Sequence, residues 1–129
     1  MNILDLVESN PFLKSLYPNG ITGDLLIGDV TFGSGGHIGL TIHTKEKPCV
    51  ETKKWGVWGK DYNVVSIKLN ACNPGDVVVS NWYCADFMPA SIEKGEESLF
   101  VFSQESGSFS FKLNVEFFSF QGCSAYLIG

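Results

Sequence analysis

A chain of 129 residues, 44% hydrophobic and 18% charged, can bury one sizeable core without disulfide or metal staples, which excludes a disordered segment and leaves little room for a second domain. Fourteen acids against nine bases give a net charge of −5, and every base is lysine. Without arginine, the planar fork that reads phosphates and base edges is missing, and the acidic balance repels a nucleic-acid backbone while attracting a basic protein.

The opening residues, Met1 to Glu8, carry acids where a secretory leader has basic residues, and their apolar run is too short to cross a bilayer. A cytoplasmic protein without membrane contact is expected. Ile3 to Val7 can form a helical turn. Ser9-Asn10-Pro11 then reads as a helix start, with a capping side chain ahead of a proline whose missing N–H costs nothing there. Phe12, Leu13, Leu16 and Tyr17 lie at helical spacing, and Pro18-Asn19-Gly20 stops the helix.

Asp24 to Phe32 and His37 to Thr44 flank Gly33-Ser34-Gly35-Gly36 and predict a hairpin, because a strand follows the glycines where a dinucleotide loop would need a helix. His37 and His43 fall on the more polar face, roughly 20 Å apart, too far to share a metal. Lys45 to Lys60 is a loop or edge segment with Trp55 and Trp58, which either anchor it to the core, stack a planar ligand or serve as interface hot spots. Tyr62 to Cys72 alternates, Asn73-Pro74-Gly75-Asp76 turns, and Val77 to Cys84 continues as a strand covered on both sides or bending. Those two arms predict a second hairpin. Asp86 to Pro89 is a strand end or edge; Ala90 to Glu93 and Leu99 to Phe102 are short strands around the Lys94 to Glu97 turn.

After the Glu105 to Ser108 turn, Phe109 to Phe117 places apolar residues on odd positions, and at Phe117-Phe118 the phase slips by one. The slip marks where the last strand leaves one layer and bends under the other or under the N-terminal helix. Seven or eight short strands at turn spacings of about ten residues predict one mainly β domain over residues 1–129. Its expected form is an antiparallel meander making a two-layer sandwich or curled sheet, with a short N-terminal helix.

Chemistry-bearing motifs are sparse. Cys49, Cys72, Cys84 and Cys123 contain no Cys-x-x-Cys pair and are expected as free thiols, with no metal and no cofactor. Cys49 follows His43 by six residues across a loop, but no nucleophile motif accompanies them, so a binding protein is expected and not an enzyme. Glu93, Glu96 and Glu97 cluster around a turn, where they provide either solubility or attraction for a basic partner.

The segment Trp58-Gly59-Lys60-Asp61-Tyr62-Asn63-Val64-Val65-Ser66-Ile67-Lys68-Leu69, then Asn81-Trp82, Asp86 and Ile92, and the ending from Phe111 to Ser124-Ala125-Tyr126 resemble the bacterial immunity proteins of family fifty. The glycine stretch near Gly35 and Cys84 depart from that pattern. The resemblance implies a small cytoplasmic antidote, encoded beside a polymorphic or contact-dependent growth-inhibition toxin, that binds the toxin domain and blocks it. For such a role the expected contacts are Asp76, Asp86, Glu93, Glu96 and Glu97 as electrostatic contributors and Trp55 and Trp58 as anchors, against a basic toxin such as a nuclease. The alternative is a small-ligand module with an aromatic platform at Trp55, Trp58 and Trp82 for a carbohydrate-like ligand. Which sheet edges are covered, and so whether copies of the chain pair, is not written in the pattern.

Overall fold

Asn10 sets the first helix. Its side chain accepts the Leu13 N–H at 3.0 Å, Pro11 occupies the first helical position, and α1 runs Pro11–Leu16. Ahead of it, Ile3–Leu6 forms a 3-10 turn closed by a reciprocal cap: Leu4 N–H donates to the Asn2 side chain at 3.1 Å and Asn2 N–H to Asp5 Oδ2 at 2.9 Å. Ile3, Leu6, Leu13, Leu16 and Tyr17 turn inward and are buried. The predicted helix and its preceding turn are therefore both present in the computed structural model, which describes residues 1–129.

The remainder is two antiparallel four-stranded sheets. The strands are β1 (Leu25–Gly33), β2 (His37–Thr44), β3 (Val64–Cys72), β4 (Val77–Ser80), β5 (Ser91–Lys94), β6 (Phe100–Ser106), β7 (Phe109–Val115) and β8 (Phe117–Tyr126). The first sheet is ordered β1-β2-β3-β8 and the second β4-β7-β6-β5. The β1–β2 hairpin forms as its glycines predict, with Gly33 opposite His37 and both Gly35 and Gly36 at positive φ.

The expected hairpin of the Tyr62 to Cys72 and Val77 to Cys84 arms does not form, and the meander is broken there. β3 already has β2 on one side and β8 on the other, so both of its ladders are taken and the chain after Asn73, itself at φ +51°, crosses to the second sheet. Glu116 crosses back beside it: Glu116 N–H donates to the Cys72 carbonyl at 3.2 Å and Asn73 Nδ2 to Glu116 Oε2 at 3.1 Å. The phase slip at Phe117-Phe118 is thus the change of sheet, from β7 in one layer to β8 in the other. Val7 bridges Phe118, so the N-terminal segment lies along that end of β8.

Alternation places Ile38, Leu40, Ile42, Val65, Ile67 and Leu69 of the first sheet in one core with Phe102, Phe109, Phe111, Leu113 and Val115 of the second. Phe102 meets Phe118 edge-on at 6.2 Å, joining β6 to β8. Buried Gln104 donates from Nε2 to the carbonyls of Leu25 at 2.8 Å and Met88 at 3.0 Å, which staples the second sheet to the start of β1. A bulge at Gly28 shifts the β1 register, and a Cβ there would collide with the His43 ring. That ring instead reaches Tyr126, with Nδ1 2.7 Å from the hydroxyl. No helix is long and apolar enough to cross a membrane.

Candidate functional site

The seven residues singled out from sequence do not gather into one patch. Trp55 and Trp58 are half-buried against the core, and each meets the buried ring of Tyr62 edge-to-face, at 5.8 and 5.3 Å between centroids. Phe12 of α1 closes on Trp55 at 6.0 Å. The loop bearing these tryptophans is also tied by its backbone: Cys49 N–H donates to the Leu16 carbonyl at 2.7 Å, and Gly59 N–H to that of Tyr62 at 2.7 Å. Anchoring of the 45–63 loop to α1 and β3 accounts for both indoles.

Glu93 lies on β5, and Glu96 and Glu97 in the turn that follows, all exposed. β5 is one edge of the second sheet and β4 is the other, about three strand spacings away, or roughly 14 Å. Asp76 belongs to the β4 edge, whereas Asp86 lies past it, between Cys84 at the β6–β7 turn and Met88 beside Leu25. Asp76 precedes β4 directly, its carbonyl accepting the Asn114 N–H at 3.0 Å, and Asp86 follows the 3-10 turn Trp82–Cys84, its side chain accepting the Phe87 N–H at 2.8 Å. Both carboxylates are exposed.

Between these two acids stands the most exposed run of large apolar side chains in the fold. Val78 is 51% exposed, Val79 38%, Trp82 38% and Tyr83 85%. The Val77-Val78-Val79 run reads from sequence as part of a strand covered on both sides or bending; it is a four-residue edge strand that ends at Ser80, with Val78 on the outer face opposite Lys112. Trp82 leans on Phe109 at 6.2 Å with the rings tilted by 46°, which fixes one side of the indole and leaves the other open. The turn that presents it is held by Asn81, in the left-handed region at φ +57°, whose Nδ2 donates to the Ser108 carbonyl at 2.7 Å. Tyr83 carries no sequence signal that distinguishes it from a core tyrosine; Trp82 shows one only as a member of the three-tryptophan platform. The structure assigns Trp82 to different neighbours from Trp55 and Trp58.

Four of the surface concavities, of 400 to 530 Å³, have no tryptophan in their lining. His43 pairs with Tyr126 and not with Cys49. Burial lowers its pKa below the ordinary imidazole value, with Asp29 pulling weakly the other way. Burial also pushes the Cys123 thiol up to about 12, which keeps it protonated and poorly nucleophilic. No family model, curated protein or solved structure matches this chain. The site therefore rests on its geometry: an uncovered sheet edge with two aromatic side chains just past its end and the Asp76 carboxylate at its start.

Proposed function

We propose that this protein is a binding protein of the immunity type, which neutralises a cognate toxin domain by docking on it through the Val77–Asp86 stretch. The observation that carries the reading is the exposure of Trp82 and Tyr83 just past the end of an uncovered edge strand, on a stretch that opens with exposed Asp76 and closes with exposed Asp86. Trp82, held against Phe109 before contact, loses little entropy on binding, exposed aromatics dominate interface energies, and nearby carboxylates speed encounter with a basic surface. The net charge of −5 acts in the same direction over longer range. A basic nuclease is the toxin class this field suits best, because an acidic face competes with its phosphate substrate.

The test uses the C-terminal domain encoded by the gene immediately upstream. Titration calorimetry of that domain against the chain should give tight binding that weakens as salt is raised, and co-expression should abolish the domain's toxicity. No binding, or an upstream gene of ordinary metabolism, overturns the reading.

A further inference from the structure

Every outer edge of the two sheets except one carries a charge, a bulge or a covering segment that discourages pairing. At one end of β8, Val7 bridges Phe118 and Glu8 N–H donates to the Phe118 carbonyl at 2.8 Å. The start of β1 is closed by Met88, which exchanges two backbone hydrogen bonds with Leu25 at 3.0 Å each, and further along the strand come the Gly28 bulge and the charge of Asp29. β5, as short as β4, carries Glu93 and Lys94 within its span. Bulges, charges, prolines and covering segments are the usual means by which edges are blunted. β4 has none of them within its span: Val77-Val78-Val79-Ser80 is uncharged, regular in register and without proline.

The ladder shows which backbone groups are free. Asn114 N–H donates to the Asp76 carbonyl, and the register continues as Val77 opposite Leu113, Val78 opposite Lys112, Val79 opposite Phe111 and Ser80 opposite Ser110. Hydrogen-bonded and non-bonded pairs alternate in an antiparallel ladder. Val78 and Ser80 therefore bond to β7, while the N–H and C=O of Val77 and Val79 point away from the sheet. Their side of the strand also presents Val79, and Trp82 stands on Phe109, two residues along β7 from the partner of Val79.

Resting on the reading of a basic protein partner, we infer that an extended segment of that partner adds to β4 as a fifth strand of the second sheet. The four outward backbone groups of Val77 and Val79 hydrogen-bond the incoming segment, Val79 and Trp82 receive an apolar side chain, and Asp76 meets a lysine or arginine beyond one end. Lys112, opposite Val78, sits on the outer face, and Lys45 lies over the ring of Phe87 next to Asp86. Charge argues against a second copy as the occupant, since pairing two β4 edges brings together two chains of net charge −5 and the Asp76 carboxylate of each.

The probe is again the C-terminal domain encoded upstream. Val79→Pro removes an outward N–H that β7 does not use, so the sheet keeps its ladder while the incoming strand loses a partner and meets the ring. Affinity should fall by at least about 30-fold for Val79→Pro and less than about fivefold for Val79→Ala. Should Val79→Pro unfold the chain, amide exchange on the wild type decides: the Val77 and Val79 amides exchange fast in the free chain and become protected in the complex. If the wild type binds the domain but these amides stay fast, or Val79→Pro binds as well as wild type, strand addition is wrong and the toxin-binding reading survives. If the wild type does not bind, both fall. A dimer of the free chain in sedimentation that Val79→Pro dissociates overturns the basic-partner assignment in favour of self-pairing.

Discussion

Two aromatic clusters of similar composition occupy opposite situations in this fold. Trp55, Trp58, Tyr62 and Phe12 interlock edge-to-face where the 45–63 loop packs on α1, and they close one part of the core. Trp82 and Tyr83 end an edge strand and remain open, one leaning on Phe109 and the other almost free. Both clusters contain tryptophan beside small or polar residues, so the residue type does not separate them. What separates them is whether a covalently distant segment arrives to cover the rings. For the first cluster α1 does so, tied to the loop by Tyr17 Oη donating to the Glu46 carbonyl at 2.9 Å. Nothing does so for the second.

The contrast is broken or upheld most decisively by truncation at the centre of the first cluster. Tyr62→Ala should cost about 3–5 kcal/mol in urea unfolding, since it empties a fully buried aromatic site, and partner affinity of the remaining folded protein should be unchanged. Trp82→Ala and Tyr83→Ala should do the reverse, each losing about 2 kcal/mol of binding, or roughly 30-fold, with under about 1 kcal/mol of stability. Equal stability costs in the two clusters would refute the division. Reversal of Asp76 and Asp86 to lysine should slow association about tenfold at low salt, measured by stopped flow. The same change at Glu93, Glu96 and Glu97, on the far edge, should have a smaller effect, and equal slowing would show that the partner contacts both edges.

A weaker effect is expected from pH. Folding lowers the His43 pKa from its ordinary 6.5 because the ring is buried against Tyr126 and Gly28, so the fold prefers the neutral imidazole. Its contribution is fully present above about pH 6.5 and is lost as pH falls through that value toward the lower folded-state pKa. The unfolding midpoint of wild type should therefore drop between about pH 7 and 5 more steeply than that of His43→Gln. Smallest is Tyr62→Phe: the buried Tyr62 hydroxyl has no hydrogen-bond partner, so its removal should leave stability unchanged or raise it by up to about 1 kcal/mol. A loss above that would reveal a partner for the hydroxyl.

The elements are legible in the chain because their causes are local. Asn10-Pro11 caps a helix through side chains one turn away, the Gly33 to Gly36 turn closes a hairpin, and period-two alternation marks β2, β3 and β7. Even the change of layer at Phe117-Phe118 shows as a slip of phase, since a strand that moves between sheets must exchange its inward side. Pairing is a different matter. β3 with β8 and β4 with β7 join segments separated by many residues, and alternation says which face of a strand is apolar without saying which strand lies beside it. For the same reason nothing in Val77-Val78-Val79 marks it as an edge strand.

The sequence by itself therefore determined a mainly β chain, its turns, its layer change and its acidic field. Only the tertiary structure decided which edge stays open and which tryptophans are exposed, because both depend on the neighbour that long-range packing supplies or withholds.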